Sequence, residues 1–336
     1  MRTVVVGFLV VAMVAGGCSS KKVDAPPPTI EPARAAQSPP TTTAPAGQIM
    51  PLGGNPQAAV FDGGTGSLVV LTPGTGGRVG ATLTVFDRSG ESRTVALPGT
   101  ATAVAPDDRG SVYAAIRGGF VTVDLARGTV APTLINGESR TDFTAIARRG
   151  DGRLVLGSAD GVAYTLAEDM SVAAKADLFA RVDAIAAQGD TAVVLDRSQT
   201  SVTALTPDGG RSLALRAGLG ATTIAADSVG RVLVADTRGG QLLVFGVDPL
   251  IERQAYPVGE SPYGIAGSRT LVWVSLTAAN TVVGYDLGTG IPVEKVRYPT
   301  VRQPDSLAFD ESAGTLYVVS GSGAGVQVIR DAGGPR

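Results

Sequence analysis

Beyond residue 47 the apolar residues fall into short β-branched runs, at 68–71, 112–115, 154–156, 193–195, 232–235, 271–274 and 316–319. Aspartate- and glycine-rich stretches such as 107–110, 150–152 and 227–230 separate them. Such stretches supply the left-handed backbone positions that tight hairpins need. No stretch of this part carries the 3.6-residue period of an amphipathic helix, so the pattern predicts strands and turns throughout. The strands recur in larger units: an apolar strand, an acidic turn, a second strand, a loop, a third strand and a polar fourth. Aligning the units on the central apolar residue of the first strand gives Ala59, Val104, Ile146, Ile185, Ile224, Ile265 and Leu307. A period near 40 residues with four strands per unit predicts seven blades of a β-propeller. The alanines next in sequence, Ala105, Ala147, Ala186, Ala225, Ala266 and Ala308, suit inner strands wedged tightly around an axis.

The seventh unit is short by one strand. After its third strand, at 326–329, only a Gly- and Pro-containing tail remains. Residues 48–56 precede the first unit and look like an orphan fourth strand, similar in pattern to 253–262 and 295–304. The N-terminal strand is therefore expected to complete the last blade and close the ring, which removes a free sheet edge. The propeller domain is assigned to residues 48–336.

The N-terminal region is of a different kind. Arg2, an apolar run at 4–14, and the small residues Ala15, Gly16 and Gly17 lead directly to Cys18. This order reads as a secretory signal over 1–17, with an apolar run too short to span a bilayer. Cys18 is the one cysteine of the chain, so no intramolecular disulfide is available. Residues 18–47 are rich in proline, threonine and alanine; such a composition cannot bury a core and favours extended polyproline II. A disordered linker is expected there, long enough at roughly 3.1 Å per residue to act as a spacer.

Several of these motifs carry resemblances. The sequence Ala-Gly-Gly-Cys ending at Cys18 resembles the lipobox of bacterial lipoproteins, which implies a diacylated Cys18 as the mature N-terminus. Residues 234–245 resemble an NHL repeat, and 316–320 with 325–328 resemble a YVTN-type repeat. Together with the arginine-, alanine- and glycine-rich composition, the chain resembles an actinobacterial, mycobacterial-type propeller lipoprotein. That implies a protein anchored by lipid to the cell membrane on its extracytoplasmic face. Members of these repeat families mostly bind proteins or small ligands on one face, and some are lyases or lactonases; fold alone does not choose among these.

Charge and chemistry narrow the field. The domain carries a small negative net charge and no basic cluster, which argues against nucleic acid as a partner. The chain contains no histidine, so the commonest general base and every Ser-His-Asp arrangement are absent. The glycine-rich stretches 74–80 and 321–325 lack the helix and the Gly-Lys-Ser/Thr sequence of a phosphate loop and read as loops between second and third strands. Residues 62–67 read as a hairpin turn, residues 196–199 and 236–239 as turn-forming loops, and Trp273 as packing between blades. No cofactor is expected. The candidate site is the axial mouth, where the first strands begin. Two residues before each aligned position stand Gln57, Thr102, Thr144, Asp183, Thr222, Tyr263 and Asp305, a ring polar at every place. The expected function is a monomeric envelope module recognising a protein or glycan through this mouth, with Asp183 and Asp305 taking a cationic group and Tyr263 stacking. The rival readings are a divalent-cation-dependent hydrolase or lactonase using the two carboxylates, and a purely structural spacer.

Overall fold

The computed structural model describes residues 28–74 and 80–334. The expected signal segment at 1–17 and Cys18 lie outside the described residues. Strands and turns account for the regular structure, in seven four-stranded antiparallel sheets. The first strands are Ala58–Asp62, Ala101–Pro106, Phe143–Arg148, Ala184–Gln188, Ala221–Ala226, Pro262–Gly267 and Pro304–Asp310. Each contacts the first strand of the next blade, and that of blade 7 contacts that of blade 1, so the ring is closed. No helix among the described residues is long and apolar enough to cross a membrane.

Burial follows the position of each strand in its blade. Second strands are enclosed on both faces; Val232, Leu233, Val234 and Ala235 have no exposed surface. Their continuous apolar runs, rather than an alternating pattern, follow from that double burial. Fourth strands face outward on the rim, as in Arg211–Arg216, which is mostly exposed. The apolar side chains gather into seven clusters, one at each junction between neighbouring blades. Trp273 of blade 6 is fully buried and stacks on Phe309 of blade 7, with ring centroids 5.9 Å apart. Phe61 stacks on Tyr317 across the junction of blades 1 and 7. Burying one such large side chain stabilises the ring by about 1.5–3 kcal/mol.

The acidic turns are held by their own aspartates. Asp107 Oδ1 accepts from the N–H groups of Arg109 and Ser111, both at 2.8 Å, and Asp227 Oδ1 accepts from Val229 and Arg231 at 3.0 and 2.9 Å. Gly110 and Gly230 follow with φ of 108° and 98°, a backbone region that side chains disfavour. The repeated Asp-to-Gly spacing in the sequence is therefore turn chemistry.

The expected closure is present. Strand Gln48–Met50 pairs antiparallel with Val326–Ile329 through Gln48 with Val328, Ile49 with Gln327 and Met50 with Val326. Met50 and Leu52 then pack on the cluster between blades 7 and 1.

Residues 28–47 form no helix and no strand before Gln48, as a linker should. They are nevertheless docked along the face where the first strands begin, over blades 4 to 7. The N–H of Ile30 donates to the Ser198 carbonyl at 2.8 Å. Arg238 and Arg197 donate to the carbonyls of Glu31 and Ala33, at 2.6 and 2.5 Å. Asn280 donates to the Pro39 carbonyl at 2.8 Å, and Ser38 Oγ donates to the Thr277 carbonyl at 2.6 Å. Ala33 and Ser38 are buried. The physical reason is that an extended, proline-bearing backbone leaves its carbonyls free, and loop side chains from four blades supply the donors. Residues 30–39 are therefore not the solvated linker expected over 18–47.

Candidate binding site at the propeller mouth

The mouth face is built from the loops between second and third strands and from the connections between blades. The first strands enclose a channel of about 600 Å³, lined in its middle by Ala59, Ala103, Ala145, Ala184, Ala225 and their neighbours. A second cavity of about 550 Å³ opens beside it on the side of blades 6, 7 and 1, bounded by Pro56, Gln57, Thr72, Tyr263 and Asp305.

The expected ring of seven polar residues is only partly realised. Gln57, Thr102, Asp183, Thr222, Tyr263 and Asp305 line the channel, with Gln57 and Thr102 exposed at its rim. Thr144 does not. It is buried and its hydroxyl donates to the Val182 carbonyl at 2.6 Å, joining blade 3 to the connection that follows it. The Thr222 hydroxyl is also engaged, paired with Thr237 Oγ1 at 2.6 Å. The cause is local: pairing slips between Phe143 and Ala145 and between Ala221 and Thr223, so both threonines sit in β-bulges. A bulge re-aims the side chain of its extra residue. Similar slips at Pro262/Ile265 and Pro304/Ser306 instead leave Tyr263 and Asp305 directed at the cavities.

Each carboxylate is held by donors of the protein. Asp183 Oδ2 accepts from the N–H of Arg197 at 2.8 Å, and Oδ1 lies 3.2 Å from Arg181 Nε. Asp305 Oδ1 accepts from Gln303 Nε2 at 2.9 Å. Its other oxygen lies against Gly321, where a Cβ would collide with it. Burial pushes the carboxyls of both Asp183 and Asp305 above the ordinary 3.8. Burial also raises the Tyr263 phenol, against the opposing pull of the Arg197 guanidinium. Desolvation outweighs the arginines at Asp183 and Tyr263 and the neutral Gln303 amide at Asp305, so the site holds incompletely compensated groups facing an open channel.

Arg197 was not legible as a site residue, because it falls in a stretch that reads as turn-forming. The turn reading itself is correct. Buried Asp196 accepts from the N–H groups of Ala180 and Gln199 at 2.7 and 2.9 Å, and buried Asp236 does the same for Leu219, Gly220 and Gly239. Arg197 adds a second role. It lines the channel, holds Asp183 through its backbone and binds the docked segment through its guanidinium, while its Nε is buried without a partner. Gln303 is its counterpart on blade 7. Its Nε2 donates to both Asp305 and the Ala36 carbonyl, and its Oε1 accepts from the Ser38 N–H. The docked segment therefore touches the two residues that position the two carboxylates.

Among the described residues no group of three or more His, Cys, Asp or Glu side chains is placed to hold a metal ion. Asp183 and Asp305 belong to blades 4 and 7, and no third acid joins either of them.

No protein-family model matches the chain, and no curated protein matches it in sequence. Solved structures do resemble it. A streptogramin B lyase is similar with a TM-score of 0.67 and 12% identity, over 84% of this chain and 97% of that one. A catalytically inactive histidine-to-alanine variant of virginiamycin B lyase from Staphylococcus aureus, with quinupristin, gives 0.63 and 13% over 85% and 97%. The WD40 repeats of RRP9 give 0.67 and 16% over 86% and 99%. At such identities the similarity shows the fold, a β-propeller, and nothing finer.

Proposed function

We propose that the chain is a lipoprotein of the NHL/YVTN-like propeller type, anchored at Cys18 on the extracytoplasmic face of an actinobacterial cell membrane. On this reading its propeller is a binding or scaffold module that recognises an envelope protein or glycan through the mouth. The observation that carries the binding role is the convergence of Asp183, Arg197, Tyr263 and Asp305 on a channel of about 600 Å³. An aromatic ring beside two carboxylates suits a partner presenting a cationic or hydroxyl-rich group, the ring supplying apolar contact and the carboxylates accepting hydrogen bonds.

A hydrolase, lactonase or lyase reading draws on the lyases of the same fold. It is the weaker reading for this chain. One such lyase is described as inactive when a single histidine is replaced, and this sequence has no histidine at all. Asp183 and Asp305 are each committed to protein donors on opposite sides of the ring, so neither is poised beside a second catalytic group.

The decisive experiment is capture from native membranes by the wild-type chain and by the Asp183→Asn, Asp305→Asn double variant. Loss of the captured partner with an unchanged melting temperature is the expected result. Equal capture by both proteins would remove the mouth from consideration. The anchor is checked separately with Cys18→Ala, which should leave the membrane fraction; retention that survives a salt wash would show that another feature holds the protein there.

A further inference from the structure

The docked segment fixes where the chain leaves the propeller. Ile30 is pinned to Ser198 in the loop between the second and third strands of blade 4, and Glu31 is pinned to Arg238 in the corresponding loop of blade 5. Both loops belong to the mouth face. The chain ahead of residue 30 therefore starts from the mouth side of the disc.

Twelve residue steps separate Ile30 from Cys18. Fully extended they span at most about 40 Å. At the polyproline II rise expected from its composition the same length spans about 37 Å. To turn the opposite face toward the membrane, the tether would first have to cross the two outer strands of the blade, about 10 Å. It would then descend the blade, whose six-residue strand Thr191–Asp196 is about 20 Å tall before its turns are added. That path, about 30 Å before its turns are added, takes most of the length available in either form. With the mouth toward the membrane, no such detour is needed.

We infer that the docked segment orients the propeller with its mouth toward the membrane, so that the site formed by Asp183, Tyr263 and Asp305 meets a partner carried at that membrane's surface. The inference rests on the Cys18 anchor proposed above. It narrows that reading, because a partner located far out in the envelope would face the wrong side of the disc. The clasp is strong enough to hold an orientation. Its hydrogen bonds come from Arg197, Arg238, Ser261, Asn280 and Gln303 on four different blades, so the segment leaves only when many of them break together.

The orientation can be read by quenching. With Cys18 acylated, an engineered cysteine is the only free thiol of the full-length lipidated chain. Thr100→Cys places a fluorophore in the exposed mouth loop between blades 1 and 2, and Thr270→Cys places one in the exposed turn of blade 6 on the opposite face. Each protein is reconstituted into phosphatidylcholine vesicles containing a lipid with a nitroxide-labelled headgroup. Quenching several-fold greater at position 100 than at 270 is expected. The contrast should collapse when Arg238→Ala and Asn280→Ala release the segment, with release verified by faster hydrogen exchange of the Ile30 and Ala36 amides. Equal or reversed quenching in vesicle-bound protein overturns the orientation. A contrast that survives verified release overturns the segment as its cause. Failure of the intact chain to float with vesicles overturns the anchor itself, and the inference with it.

Discussion

Asp236 offers the sharpest test of the loop chemistry that shapes the mouth. Its carboxylate has no exposed surface. Oδ2 accepts from the Leu219 N–H at 2.9 Å, and Oδ1 accepts from Gly220 and Gly239 at 2.8 and 3.0 Å. One side chain thus satisfies two amides of the connection between blades 4 and 5 and one of its own loop. The glycines are part of the fit, since a Cβ at Gly218 or Gly239 would collide with Oδ2. Asp236→Ala strands three donors, and each buried, unsatisfied N–H costs about 1–3 kcal/mol. Relaxation of the loop and entry of water recover part of that, so a net loss of about 3–5 kcal/mol is expected. That is a large share of the 5–15 kcal/mol typical of a folded domain. Asp236→Asn keeps one acceptor but turns an amino group onto an N–H, and should lose about half as much. Urea unfolding of the purified chain reads the effect as a lowered midpoint at constant slope, with exposed Asp160→Ala as control. An Asp236→Ala loss below about 1 kcal/mol, the scale of an ordinary surface substitution, would show that the three bonds are not what holds the loop.

Two further outcomes follow from the same geometry. Deleting residues 48–53 should lower the melting temperature most, because it frees the edge of the Val326–Ile329 strand and exposes the cluster under Met50 and Leu52; deleting 28–46 should cost less, and deleting 19–27 should leave the transition in place, so equal transitions for all three would refute N-terminal closure. Asp183 and Asp305 have folded-state carboxyls raised by burial, so the stabilisation that comes from protonating them is present below the ordinary 3.8 and is lost as pH rises through the folded values. The Asn double variant should therefore unfold no earlier than wild type at neutral pH, within about 1 kcal/mol, and lose any advantage as acid is added; a variant clearly less stable at pH 7 would contradict that sign.

Most of the architecture could be read from the residues. The period from Ala59 to Leu307 located all seven first strands, and the missing fourth strand after Ile329 pointed to the strand at Gln48–Met50. These features were legible because they depend on local turn chemistry and on double burial, both of which leave a mark in consecutive residues. The site was legible only in part. Asp183, Tyr263 and Asp305 line the channel as expected, but Thr144 is lost to a bulge that no sequence spacing reveals. The docking of residues 28–47 was hidden for a different reason. Its composition is that of a solvated linker, and what binds it is a set of side-chain donors brought together from four blades by tertiary structure. Arg197 could have been suspected from its twin: both second–third loops that open on a buried aspartate, at 196 and 236, place an arginine within two residues of it.

The shared residues have a thermodynamic consequence. Gln303 divides its amide between Asp305 and the docked segment, and Arg197 divides its donors between Asp183 and the same segment. A ligand that draws Asp305 away from Gln303, or Asp183 away from Arg197, changes the geometry in which those side chains hold the carbonyls of Ala36 and Ala33. By linkage the effect is reciprocal, so releasing the segment alters ligand affinity by the same factor that binding alters docking of the segment. The sign depends on whether the ligand uses the carboxylates in their present orientation. A ligand that accepts them as placed strengthens the clasp, and one that needs them turned loosens it. The docked segment and the two carboxylates thus share Arg197 on blade 4 and Gln303 on blade 7, and any ligand that moves those carboxylates is expected to be felt by the segment through these two residues.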